Sequence, residues 1–130
     1  MKKMLKILCM IVLIFIIGIM SLLWMAGKKK FVPDDYTETV KTGGIIEANY
    51  LSMGSHEVSY FEAPAIASYK KYEIYYPSDI DKIEDSLPTV VFVNGTGVLG
   101  SKYPALQKHL ASWGFITVAT EEEHAWYGFS

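Results

Sequence analysis

Between Pro88 and Thr120 the chain reads P-T-V-V-F-V-N-G-T-G-V-L-G-S-K-Y-P-A-L-Q-K-H-L-A-S-W-G-F-I-T-V-A-T. No other stretch restricts the fold as much. Thr89 to Val93 is a continuous apolar run, the pattern of a strand covered on both faces. Ser101 is placed to cap a following helix, with Pro104 in the first turn, where a missing N–H costs little. Tyr103, Leu106, Leu110 and Trp113 recur at intervals of 3, 4 and 3, which makes one apolar helical stripe. Gly114 stands where a helix ends in a left-handed residue, and Phe115 to Ala119 is a second apolar strand. Strand, crossover helix and strand form a βαβ unit of right-handed sense. The fold class is α/β.

Upstream, Glu57–Ala63 and Lys71–Pro77 are short aromatic and β-branched runs bounded by Pro64 and Pro77, and both read as strands. Tyr72, Ile74 and Tyr76 alternate with Glu73 and Tyr75, which turns one face of that strand inward. Ser78 to Pro88 is an acidic polar loop with room for one helical turn.

The N-terminus is of a different kind. Ile7 to Ala26 is twenty residues without a charge, and as a helix it covers about 30 Å, the hydrocarbon thickness of a bilayer. A cleaved signal has a shorter apolar core and ends at small residues. Here Trp24 sits two positions before Ala26, so an uncleaved anchor is the better reading and a cleaved signal the alternative. Lysines flank both ends, so counting them does not orient the span. A short N-terminal tail seldom crosses, which places the N-terminus in the cytoplasm and the remainder outside. Residues 1–30 are then the anchor or signal, 31–56 a polar stalk and lead-in, and 57–130 a partial α/β domain.

Charge follows the same division. Residues 1–30 carry six lysines and no acid, whereas 31–130 carry six lysines and fourteen acids, a net −8. That balance argues against nucleic acid as a partner. All twelve basic residues are lysine, so the bidentate guanidinium clamp for phosphate or carboxylate is missing. The single cysteine, Cys9, lies in the apolar run and reads as a lipid-facing residue. Residues 31–130 have none, which excludes a disulfide framework and a thiolate metal site there.

Gly95-Thr-Gly97-Val-Leu-Gly100 matches G-x-G-x-x-G, and Glu121 follows Gly100 by 21 residues. Strand before, helix after and acid beyond are the setting of a dinucleotide site. That site needs its helix to begin inside the glycine motif, which would put Pro104 well within the helix, where it breaks the hydrogen-bond ladder. Two strands also precede this one. The other reading is an oxyanion loop, in which backbone N–H groups after a central strand stabilise a tetrahedral intermediate and glycine permits close approach.

The run from strand through N-G-T-G to the helix S-K-Y-P-A-L, then H-L-A-S-W-G-F-I-T-V-A, resembles the α/β-hydrolase superfamily, nearest its dienelactone-hydrolase and cutinase–polyesterase branch. The preceding Y-E-I-Y-Y-P-S-D is similar as well, and the likeness covers about Tyr72 to Ser130. It implies hydrolysis of esters or related acyl bonds by a Ser-His-Asp triad, with no cofactor and a small ester-like substrate. Thr96 matches the position that supplies an oxyanion N–H, while Gly95 and Gly97 shape the turn. It also implies that the 89–93 strand lies between the 115–119 strand and a later one. Nucleophile, acid and histidine come downstream in that fold, so this chain is expected to be the N-terminal portion and inactive alone. With only half of a doubly covered sheet, one side is expected to stay open. A non-catalytic anchored binding or structural protein remains the alternative.

Gly128-Phe-Ser130 begins like a G-x-S-x-G elbow, but the strand that must run into an elbow is missing before it; Ser130 reads as a helix cap. Glu121, Glu122, Glu123 and His124 are consecutive, and consecutive loop residues rarely converge on a metal. Glu121, His124 and Trp126 are retained as substrate-contacting candidates because they follow a strand at the edge where ligands bind in α/β folds. His109 reads as a partly exposed helix residue and His56 as part of a turn. Asn94-Gly-Thr fits a glycosylation triplet, poorly placed at a strand end.

Overall fold

A computed structural model describes residues 2–66, 70–93, 95 and 98–121. Their order is α1 (Lys2–Lys28), α2 (Tyr36–Thr39), α3 (Ile45–Leu51), β1 (Val58–Pro64), β2 (Lys71–Pro77), β3 (Thr89–Phe92), α4 (Pro104–Ser112) and β4 (Ile116–Thr120). Short 3₁₀ turns fall at Ile80–Lys82 and Gly100–Lys102.

The β3–α4–β4 unit forms as the sequence implies, with β3 parallel to β4 in the register Val90 to Thr117 and Phe92 to Ala119. Helix α4 starts with Pro104 at its first turn. It ends in a Schellman arrangement: Gly114 takes φ +91° and donates to the Ala111 carbonyl at 3.0 Å, and the Phe115 N–H reaches the Leu110 carbonyl at 3.2 Å. Ser101 is not the cap. The capping position is Tyr103, without a side-chain bond, and Ser101 lies in the preceding 3₁₀ turn, where a carboxylate claims its hydroxyl.

The four strands make one mixed sheet in the order β1-β2-β4-β3. β2 runs antiparallel to both β1 and β4. Register divides the side chains into two faces. Glu73, Tyr75 and Pro77 of β2 share a face with Thr117 and Ala119 of β4, and all five are buried. α4 packs there, and the Thr117 hydroxyl faces Gln107 Oε1 at 3.5 Å. The inward face of β2 is therefore the one bearing Glu73. Tyr72, Ile74 and Tyr76 lie on the other face with Val118, half-buried.

The buried side of α4 also departs from the apolar stripe. Ala105, Gln107, Ala111 and Ser112 go inside, whereas Leu106 and Leu110 are half-buried and Trp113 is 40% exposed. Small side chains let the helix lie close to the sheet. The interior is in consequence thin and partly polar. Gln107 donates to the Gly100 carbonyl at 3.3 Å, and the Ser112 hydroxyl donates to the His109 carbonyl at 2.6 Å. Both of these buried polar groups find a partner, which is the condition for tolerating them.

β3 was expected to be covered on both faces, yet one of its faces is open; among the described residues it stands at the edge of the sheet, the open side expected from the sequence. Val91 is 63% exposed and Val93 88%. The second face of the sheet, with Phe61, Val91 and the Ile74–Val118 pair, is only half-covered.

The segment read as a stalk lies against α4. The Phe31 N–H donates to the Lys102 carbonyl at 3.0 Å, and the Gly54 N–H to the Ser112 hydroxyl at 2.8 Å. His109 is buried, not partly exposed. Its Nδ1 meets the Tyr36 hydroxyl and its Nε2 the Tyr50 carbonyl, the latter at 2.9 Å. Trp113 donates its indole N–H to the Ser52 carbonyl at 3.0 Å and lies 5.7 Å from the Tyr50 ring. Helix α1 buries no residue and is long and apolar enough to cross a membrane.

The lead-in leaves no room at Gly54, where a Cβ would fall 2.1 Å from the Ser112 carbonyl oxygen. Gly54→Ala is expected to destabilise the domain by about 1–3 kcal/mol, the usual cost of overpacking. Gly44→Ala, at a site with nothing within 4 Å, should stay close to wild type. Urea unfolding of the full chain in detergent, followed by tryptophan fluorescence, measures both.

Candidate functional site

Because β3 and β4 are parallel, their C-terminal ends share one edge of the sheet. The glycine-rich segment leaves β3 there. Gly95 is exposed and its surroundings are open, with the Val98 N–H donating to its carbonyl at 3.1 Å. Thr96 and Gly97, the other two oxyanion candidates, lie outside the described residues, as do Asn94, His124, Trp126 and Ser130.

Gly100 closes the segment against β4. A Cβ on it would stand 2.6 Å from the Ala119 Cβ and 3.0 Å from the Thr120 carbonyl oxygen, so only glycine permits this approach. The Tyr103 N–H then bonds the Gly100 carbonyl at 3.0 Å, and α4 begins one residue later. The helix thus starts beyond the glycine motif and not within it. That geometry does not offer a helix N-terminus to a pyrophosphate inside the motif.

Glu121 has a definite role at this edge. It is buried, and its carboxylate accepts the Ser101 N–H at 2.6 Å and the Ser101 hydroxyl at 3.1 Å. Its own N–H donates to the Lys71 carbonyl at 3.1 Å. Glu121, read from the sequence as a loop residue, is therefore enclosed and held by the chain. Both carboxylate oxygens are committed to the chain, which argues against a substrate contact and equally against a ribose contact in a dinucleotide site. Glu121 instead ties the glycine segment to the ends of β2 and β4.

A second carboxylate was not foreseen. Glu73 is 5% exposed, faces α4, and its Oε2 has no hydrogen-bond partner among the described residues. Its Oε1 lies 3.4 Å from the Tyr60 hydroxyl and 3.8 Å from Lys71 Nζ. Burial, and then the charge of Glu121, hold its carboxyl above the usual glutamate range. Glu62, directly opposite on β1, is instead pulled down by its hydrogen bond from Lys71 and takes a second bond from Tyr60. Lys71 is pushed up by the same pair. Burial raises the Tyr75 hydroxyl to about 12. In the sequence, Glu73 looks like any outward acid in an alternating strand. Its position across from Glu62, with Lys71 two residues before it, is visible only once the register is known.

Neither of the two described histidines joins this edge. His109 is enclosed between α2 and α3. His56 Nδ1 pairs with Asp79 Oδ1 at 3.0 Å at the opposite edge, and that bond lowers the Asp79 carboxyl. An open groove of about 520 Å³ lies there, lined by Asn49, Ser52, Met53, His56 and Trp113. A larger hollow, about 680 Å³, is only the bare apolar flank of α1 between Lys2 and Ile11. Among the described residues no group of three or more His, Cys, Asp or Glu could hold a metal ion.

The chain matches no known family model, curated protein or solved structure.

Two outcomes test this geometry. Glu121→Ala leaves the Ser101 N–H and hydroxyl without their acceptor, and should cost about 1–3 kcal/mol. Hydrogen exchange at the Ser101 amide should accelerate in parallel. Glu73 is an acid whose pKa rises on folding, so the folded chain binds its proton more tightly. Its contribution makes the fold less stable as pH climbs above the unfolded value of 4.5, until the raised value is passed. Glu73→Gln removes this slope. Urea midpoints taken in steps from below to above that window should diverge from wild type as pH rises, with the variant the more stable.

Proposed function

We propose that this chain is the N-terminal portion of a membrane-anchored α/β hydrolase acting on esters or related acyl bonds outside the cytoplasm. α1 is its single span, with the N-terminus in the cytoplasm. The observation that carries the reading is the placement of β3. It pairs in parallel with β4 across the α4 crossover, and its other edge carries no partner among the described residues. A hydrolase sheet sets a later strand on that edge. The half-covered second face fits the same account, since downstream helices would cover it.

In this reading the oxyanion is held by backbone N–H groups of the segment after β3. Thr96 is the leading donor by resemblance, and Gly95 and Gly97 allow the approach. Glu121, through Ser101, and Gly100, through its contact with Ala119, hold the far end of that segment rigidly against β4. Such a donor acts by being fixed in place before charge develops. The nucleophile, its acid and its histidine belong to polypeptide beyond Ser130. Residues 1–130 alone are accordingly inactive.

The test is the reading frame past Ser130. It should run into an apolar strand and G-x-S-x-G, then an acid and a histidine. The longer product should be labelled by a fluorophosphonate and turn over short-chain esters, while residues 1–130 should do neither. In the longer product, Thr96→Pro removes the donor N–H and should lower kcat about 10²–10³-fold. A stop codon at this point with no elbow in any longer product would end the catalytic reading and favour an anchored binding protein.

A further inference from the structure

The contact between α1 and the domain fixes which part of the domain meets the membrane. Only Lys29 and Lys30 separate the end of α1 from Phe31, whose N–H bonds the Lys102 carbonyl at 3.0 Å and whose ring lies 5.6 Å from Tyr103. Lys102 also turns its ammonium group onto the Gly27 carbonyl, in the last turn of α1. A cation there meets the negative end of the helix. The 3₁₀ turn Gly100–Lys102 is thereby held at the foot of the span. Three extended residues reach at most about 11 Å, so the tether cannot let this turn drift far.

Topology does the rest. The turn stands at the C-terminal edge of β3 and β4, where the glycine segment leaves the sheet. The acidic loop around Asp85 enters β3 at its other end, farther away by the strand's length, about 13 Å for four residues.

The chemistry at the foot of the span suits a lipid surface. Lys28 lies over the Trp24 ring, 3.5 Å from its centroid, and Lys29 follows it. Lys30 is paired with Asp34. Aromatic rings and lysines at the end of an apolar helix occupy the headgroup layer, and lysines there are attracted by anionic lipid.

Resting on the reading of α1 as a membrane span, we infer that Lys28, Lys29, Phe31 and the Lys102–Tyr103 corner form a docking surface for anionic phospholipid headgroups, holding the C-terminal edge of the sheet against the bilayer. The domain is then not a body swinging on a stalk. Its glycine-segment edge faces the lipid and its acidic loop faces water.

Depth measurements on the full chain in vesicles test this. In a Cys9→Ala background, single labels are placed through Ile14→Cys in mid-span, Val98→Cys beside the turn and Asp85→Cys in the acidic loop. Vesicles are phosphatidylcholine with or without phosphatidylglycerol. On anionic vesicles the label at 98 should be quenched by headgroup-level spin-labelled lipid, and be several-fold less open to iodide than the label at 85. Added salt, or Lys28→Gln with Lys29→Gln, should open it, because exposed charges are screened. Equal iodide access at 98 and 85, with the label at 14 buried in lipid, would overturn the docking. Shielding at 98 that is the same on neutral vesicles and indifferent to salt would overturn the role of the lysines. Iodide reaching the label at 14 would overturn the span itself, a distinct failure. The salt experiment uses the chain with Lys28 and Lys29 intact, so the test survives a pair of substitutions that fails to fold.

Discussion

The Glu121 carboxylate accepts the Ser101 N–H at 2.6 Å and the Ser101 hydroxyl at 3.1 Å from a position shielded from water. Charged acceptors make the stronger hydrogen bonds, and a buried charge is tolerable only when so engaged. Through this group the turn before α4, the end of β4 and the start of β2 are held in one place. Gly100 can lie on Ala119 because nothing projects from it, and α4 can start at Pro104 because the turn before it is fixed.

The rest of the domain is unevenly covered. On the α4 side the interior is made by small and polar residues, with Tyr75 the one large apolar side chain buried there among the described residues. Such a core gains little from burial, because the stabilisation scales with apolar area. It depends instead on polar groups that satisfy one another, Gln107 with Thr117 and Gly100, Ser112 with Gly54. On the other side, Phe61 and Val91 remain largely open, and β3 presents a free V-V-F edge among the described residues. An apolar edge strand of this kind invites pairing with another strand. That open edge and the half-covered face are the observations on which the proposed continuation of the chain rests.

Much of this architecture could be read from residue order. The apolar run Ile7–Ala26 fits a helix and no other element. Pro104 and Gly114 bracket α4 because one lacks an N–H and the other tolerates positive φ, and these are local properties. Pro64 and Pro77 close the two strands of the hairpin. What periodicity could not convey was which side of an element would face in. Tyr103, Leu106, Leu110 and Trp113 form a fair stripe, yet the sheet takes the small side, Ala105 and Ala111, because closeness matters more there than bulk. Tyr103 and Trp113 turn to the lead-in segment, against Phe31 and Tyr50. Ser101 has the right identity for a helix cap, but the competing acceptor lies twenty residues on, and no local rule sees it.

The sequence by itself determined α1, α4 and the four strands, their order and the α/β class, because those follow from backbone chemistry within a few residues, but not the short helices α2 and α3. It also determined the division into a basic apolar N-terminus and an acidic remainder. Tertiary structure alone decided that Glu73 would be enclosed and Glu121 would be a tie, that His109 would be trapped between Tyr36 and Tyr50, and that Lys102 would close on the end of α1. These outcomes depend on strand register and on contacts between distant parts of the chain. A one-residue change of register would carry Glu73 to the open face, and nothing in the neighbourhood of Glu73 records which register the sheet adopts.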